Sequence, residues 1–179
     1  MSGVGSSPTF VFLFGPVVQS VSTPACLSKF NKMPNFSDPK RIGNAVELNC
    51  ISYLYSLGCD VSIPFGDSLR YDLIIDYKNK LYRIQCKHAN PSLDQNGTVT
   101  SISFKTARES GRSVRKSIHY TKEDIDFFAT FFNEKCYLIP VEETASRTKI
   151  LRFLAPRSGL TQGVSFAATY EAEKILAAL

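Results

Sequence analysis

From Ser37 onward apolar residues recur at Ile42, Val46, Cys50, Tyr53, Leu54 and Leu57, a spacing of three or four that marks an amphipathic helix. Ser37 or Asp38 can cap its start, Pro39 suits its first turn, and Gly58 stops it. Three short strand candidates follow: Cys59 to Pro64, Tyr71 to Tyr77 and Leu81 to His88, the last two joined by a turn around Asn79. Thr98 to Phe104 reads as a further strand, whereas Lys105 to Lys116 (KTARESGRSVRK) is polar, basic and aperiodic and reads as a loop. Thr121, with Asp124 three residues later, resembles a capping box and predicts a helix through Phe131. Cys136 to Val141 is expected to be a buried strand, Lys149 to Leu154 an edge strand and Ser165 to Leu179 a C-terminal helix. The elements alternate between strand and helix, which points to an α/β domain with a central sheet.

Residues 1 to 32 differ from the rest. Gly, Ser, Pro and Thr surround an apolar stretch from Phe10 to Val18, acidic residues are absent, and the first basic residue, Lys29, comes well after the stretch. A secretory signal needs a basic segment before its apolar core, and a membrane span needs about 20 apolar residues, so neither is expected here. Residues 1–32 are expected to be a disordered extension or an over-extended start, with the domain occupying 33–179. The five cysteines, at positions 26, 50, 59, 86 and 136, form no CxxC pair, and with only His88 and His119 beside them a structural zinc site lacks ligands at usable spacing. An odd, scattered set fits a reducing compartment, the cytoplasm or an organelle stroma, rather than secretion. The net charge of +5 favours an anionic partner without identifying one.

Candidate chemistry lies on two neighbouring strands. A period of two puts Asp72, Ile74 and Asp76 on one face of the first, and Tyr71, Leu73 and Ile75 on the other. In the next strand the same period puts Gln85 and Lys87 together, opposite to Ile84 and Cys86. Two adjacent strands can thus aim a carboxylate, an amide oxygen and an ammonium at one point. Hydrolysis of a phosphodiester asks for such groups: oxygen ligands for Mg²⁺ or Mn²⁺, and a cation beside the attacking water. A salt bridge between Asp72 and Lys87 is the structural alternative. Asp76, beside the Lys78-Asn79-Lys80 turn, is read as a solvated strand end, and His88 points away from Lys87 by strand alternation.

In GNAVE at 43 to 47, IPFGDSLRYDLIID at 63 to 76, YRIQCK at 82 to 87, and the later DIDFFATFF and CYLIPVEE segments, the chain resembles the PD-(D/E)xK nuclease superfamily. Within it, the likeness is to the group associated with group I intron homing endonucleases, in which glutamine takes the acidic third position. It covers about Pro34 to Tyr170. The resemblance implies a restriction-endonuclease-like α/β fold with a central mixed sheet flanked by helices, and a site formed by Glu47 on the first helix with Asp72, Gln85 and Lys87. Glu47, Asp72 and Gln85 would hold the metal, and Lys87 would orient or deprotonate the water. Residue 71 is Tyr where Pro is often found, and Gln85 leaves the site one negative charge short of the wider family's pattern.

The resemblance also implies a double-stranded DNA substrate, no membrane, and a homo-oligomer, dimer or tetramer, since cutting both strands needs two sites. Arg70, Lys105, Arg108, Arg112, Arg115 and Lys116 are the candidate DNA contacts: all but Arg70 fall in the basic segment, which carries one acidic residue, Glu109. The Phe127, Phe128, Phe131 and Phe132 cluster is assigned to the core rather than to base stacking. Two other functions stay open: a nuclease-fold DNA-binding module that has lost catalysis through Gln85, and a repair nuclease acting on branched junctions.

Overall fold

A computed structural model describes residues 38–66, 68–110, 116–144, 147–156, 159 and 162–179. The expected extension at 1–32 lies outside them. Helix α1 spans Pro39–Ser56 as the sequence stripe requires: Asp38 caps it by accepting the Lys40 backbone N–H at 3.0 Å, Pro39 sits in its first turn, and Gly58 leaves it at φ +86°. Its Val46, Cys50 and Leu54 are buried.

The strands are β1 (Asp60–Ser62), β2 (Leu73–Tyr77), β3 (Lys80–Cys86), β4 (Asn90–Leu93), β5 (Val99–Lys105), β6 (Ala107–Ser110), β7 (Lys116–His119), β8 (Phe127–Phe132), β9 (Lys135–Pro140) and β10 (Thr148–Arg152). The central sheet has the order β1-β2-β3-β8-β9. It is mixed: β3 and β8 run parallel, and every other neighbour pair is antiparallel. Two tight hairpins hold its register, β2–β3 through Lys78 and Asn79 and β8–β9 through Asn133 and Glu134, all four at positive φ. That is the turn geometry whose twist matches that of the strands it joins.

Each face of this sheet has its own core. Leu73, Ile75, Ile84, Cys86, Phe127, Ala129, Cys136 and Leu138 pack with Val46, Cys50 and Leu54 of α1 and with Ala172 and Leu176 of the short helix α2 (Ala172–Ala177). Phe128, Tyr137 and Ile139 point the other way and meet Ile102, Phe104 and Leu151. These last three belong to a second sheet, ordered β10-β5-β4, with β10 at its edge. The arrangement is the restriction-endonuclease-like α/β fold expected from the sequence.

Three sequence expectations are corrected. The segment from Thr121 to Phe131 is not a helix: Asp124 accepts from both the backbone N–H (2.9 Å) and the hydroxyl (3.1 Å) of Thr121, which closes a single turn, and Phe127–Phe132 is strand β8. A run apolar on both faces suits a strand with partners on both sides and covered faces, and it carries no alternation by which to recognise it. The basic segment is not wholly a loop, because Ala107–Ser110 and Lys116–His119 pair as an antiparallel hairpin. At the C-terminus the expected long helix is reduced to Ala172–Ala177, preceded by a 3₁₀ turn at Ala167–Thr169 and by Glu171, which bridges to Tyr137 of β9.

Candidate active site

The register of β2 and β3 brings the chemistry together. The Asp72 backbone N–H donates to the Ile84 carbonyl at 2.8 Å, so the residue just ahead of β2 lies against the end of β3. Its carboxylate uses one oxygen to hold the neighbouring strand: Oδ2 accepts the Cys86 backbone N–H at 2.7 Å and the Gln85 Nε2. Oδ1 has no hydrogen bond among the described residues and is left for the site. Gln85 sits opposite Phe128 of β8 and is 7% exposed. The Lys87 backbone N–H extends the β3–β8 pairing by donating to the Ala129 carbonyl at 2.8 Å, which fixes the point from which its side chain departs.

Glu47 comes from α1, next to buried Val46, and its charge acts on both Asp72 and Lys87. Burial first, then repulsion from Asp72, pushes the Glu47 carboxyl above its usual range, while Lys87 draws it down. Asp72 is also raised, mainly by burial, with the Cys86 N–H and Lys87 opposing. Burial lowers the Lys87 ammonium against the pull of both carboxylates. Two carboxylates that repel each other in a partly dry place, with one ammonium that does not neutralise them both, leave an unmet demand for positive charge. Among the described residues no three His, Cys, Asp or Glu side chains gather in a metal-binding group. The oxygen-bearing side chains gathered here are the Glu47 and Asp72 carboxylates and the Gln85 amide, groups of the type that hard divalent cations accept.

One residue at this place was not found from the sequence. Tyr120, just after β7, donates its hydroxyl to Gln85 Oε1 at 3.3 Å, and its ring packs edge-on against Phe128 with centroids 5.2 Å apart. The Arg70 guanidinium lies 4.8 Å from the ring centroid and the Lys87 ammonium 5.6 Å. No periodicity marks Tyr120, which follows a short hairpin and precedes a turn.

The candidate DNA contacts are placed unevenly. Arg70 is tied inward, to Asp124 at 2.7 Å and to the His119 carbonyl at 3.0 Å, so its guanidinium braces the turn after Tyr120. Lys105 and Arg108 are exposed, at the end of β5 and on β6, and the Arg108 charge reaches the Tyr120 phenol. Lys116 begins β7, while Arg112 and Arg115 lie outside the described residues, as does Asp67. Asp76 is exposed at its strand, and His88 is exposed as well.

The sequence pattern of the PD-(D/E)XK endonuclease family matches residues 37–173. The chain belongs to that family. The solved structure of a bacterial homing endonuclease, I-Ssp6803I, superposes with a TM-score of 0.63 over 78% of this chain and 93% of that one, at 23% sequence identity. At that identity the likeness speaks for the fold. No curated protein matches the sequence. Among the described residues no helix is long and apolar enough to cross a membrane.

Proposed function

We propose that this PD-(D/E)XK family member is a metal-dependent endonuclease that hydrolyses phosphodiester bonds in double-stranded DNA. The observation that supports the reading is the convergence of Asp72, Gln85, Lys87 and Glu47, with Asp72 Oδ1 free of hydrogen bonds among the described residues and the two carboxylates repelling each other. Glu47 and Asp72 would hold Mg²⁺ or Mn²⁺, with the Gln85 amide oxygen as a neutral third ligand. When bound, such an ion polarises the phosphoryl oxygen and makes bound water more acidic. Lys87 holds the attacking water and, because burial favours its neutral amine, can take a proton from it at lower pH than an ordinary lysine. The exposed Lys105 and Arg108, with Arg112, Arg115 and Lys116 of the same basic stretch of sequence, would track phosphates, and a homo-oligomer would supply the second site for the second strand. A defined target sequence is part of this reading, as the resemblance to the intron-homing group implies.

The test is to incubate the purified full chain with DNA pools and Mg²⁺, with an EDTA control, and to sequence the ends. Metal-dependent ends at a shared sequence are expected. DNA binding without cleavage would leave a binding module, and cutting confined to branched substrates would make it a junction nuclease.

A further inference from the structure

An amide has two chemically different ends, and the surroundings of Gln85 distinguish them. Nε2 donates a hydrogen bond to the Asp72 carboxylate, and Oε1 accepts one from the Tyr120 hydroxyl at 3.3 Å. This arrangement suits the site without metal, since an amide oxygen turned toward a carboxylate oxygen would be repelled. A metal shared by Asp72 and Gln85 requires the opposite end, because only Oε1 can act as the ligand. Nε2 must then turn away from Asp72 toward the position that Oε1 occupied. The group waiting there is a phenol, and a phenol can both donate and accept. A buried N–H with no acceptor is the costlier of the two orphans, and such groups are rarely tolerated in folded proteins.

We propose that Tyr120 is a positioning residue for Gln85: its hydroxyl donates to Oε1 before metal binds and accepts from Nε2 afterwards, so that a neutral amide can serve as a metal ligand. The inference rests on the reading of Gln85 as a ligand. Tyr120 is held for the task from several sides, by Phe128 against its ring edge-on and by the Arg70 and Lys87 cations near its ring. Arg70 is itself fixed by Asp124 and the His119 carbonyl. These contacts hold the phenol oxygen beside the amide, where it can meet either end of it.

The experiment is a double-mutant cycle on Mn²⁺ affinity, measured by calorimetry on the full-length protein without DNA. Tyr120→Phe keeps the ring and removes only the hydroxyl. It should weaken Mn²⁺ binding about three- to tenfold, toward the low end for an unpaired buried donor because the metal-free state loses a bond as well. In a Gln85→Glu background both ends of the side chain are oxygens and there is no amide to turn. There the same Tyr120→Phe change should shift Mn²⁺ affinity by less than about twofold. Equal losses in the two backgrounds, or a Tyr120→Phe variant that binds Mn²⁺ like wild type, would overturn the proposal. Should the wild-type chain take up no Mn²⁺, the metal site itself is wrong, an outcome that the wild-type titration alone reveals.

Discussion

Asp72 has two duties that different substitutions separate. Its Oδ2 accepts the Cys86 backbone N–H and the Gln85 amide, both on residues 7% exposed, whereas Oδ1 has no hydrogen bond among the described residues and is the oxygen proposed to meet the metal. Asp72→Ala removes both acceptors and also opens the space they met in. A buried backbone N–H left unpaired costs about 1–3 kcal/mol. The Gln85 amide adds about 1 kcal/mol, at the low end of the same range, since a long contact to the Cys86 carbonyl at 3.4 Å remains to it. The sum, about 2–4 kcal/mol, lowers Tm by roughly 5–15 °C for a chain of this size. Asp72→Asn behaves differently. Its amide oxygen can occupy the Oδ2 position and keep both hydrogen bonds, so only their charge-assisted part is lost and the cost should stay near about 1 kcal/mol. Both variants should lose Mg²⁺-dependent cleavage, Asp72→Ala because it leaves no ligand and Asp72→Asn because its nitrogen stands where Oδ1 would face the metal. The assay is urea unfolding of the metal-free protein, with midpoint and slope fitted together, alongside plasmid cleavage. If Asp72→Ala unfolds at the wild-type midpoint, Asp72 does not hold the β2–β3 end, and the geometry argued for the site is wrong.

Lys87→Ala should abolish cleavage while DNA binding stays nearly intact, and in the wild type the rising limb of the pH–rate profile should lie below the range of an ordinary lysine, since burial favours the neutral amine; a limb at or above that range would remove Lys87 as the base. Replacing Arg108, Arg112 and Arg115 together by Ala should weaken binding to all sequences alike and lower the log–log salt slope by roughly 2–3 units, which filter binding across a salt series measures. Phe128→Ala empties a fully buried position between the two sheets and should cost about 3–5 kcal/mol in denaturant unfolding; a cost under about 1 kcal/mol, the size expected of an exposed position, would deny β8 its place at the centre of the core.

The parts of the fold legible in the sequence are those where local chemistry and tertiary need agree. Asp38, Pro39 and Gly58 bound α1 because cap, first turn and left-handed exit are each set by one residue's own geometry. Strands β2 and β3 are legible because a single residue step separates the core-facing Leu73, Ile75, Ile84 and Cys86 from the outward set. Where tertiary context dominates, the pattern misleads. In β8 the sequence FFATFF fits a helical stripe as readily as a strand buried on both sides, and the Thr121–Asp124 pair ahead of it makes the same hydrogen bond in a turn that it would make in a capping box. The local cue on the other side was the turn after it: Asn133 and Glu134, both at positive φ, close a two-residue hairpin, and a helix ending at Phe131 has no use for one. The pairing of β6 with β7 was hidden because their polar and charged residues, ARES and KSIH, leave no apolar alternation to detect.

The site divides along the same line. Asp72, Gln85 and Lys87 could be placed together because a two-residue period and one tight turn fix their relation, whatever the rest of the chain does. Glu47 is the only carboxylate in α1, but the helical stripe does not show that its charge reaches Asp72, and its place in the site needed the family resemblance. Tyr120 is placed by tertiary pairing alone. It reaches Gln85 only because β3 pairs with β8, which puts Phe128 beside Gln85, and because Arg70 ties the segment after β7 to the loop before Asp72. Arg70 therefore bears on the reaction differently from a phosphate contact. With its guanidinium shared between Asp124, the His119 carbonyl and the Tyr120 ring, it joins the strand that carries Asp72 to the residue that faces Gln85, and so holds the two halves of the candidate site in one frame.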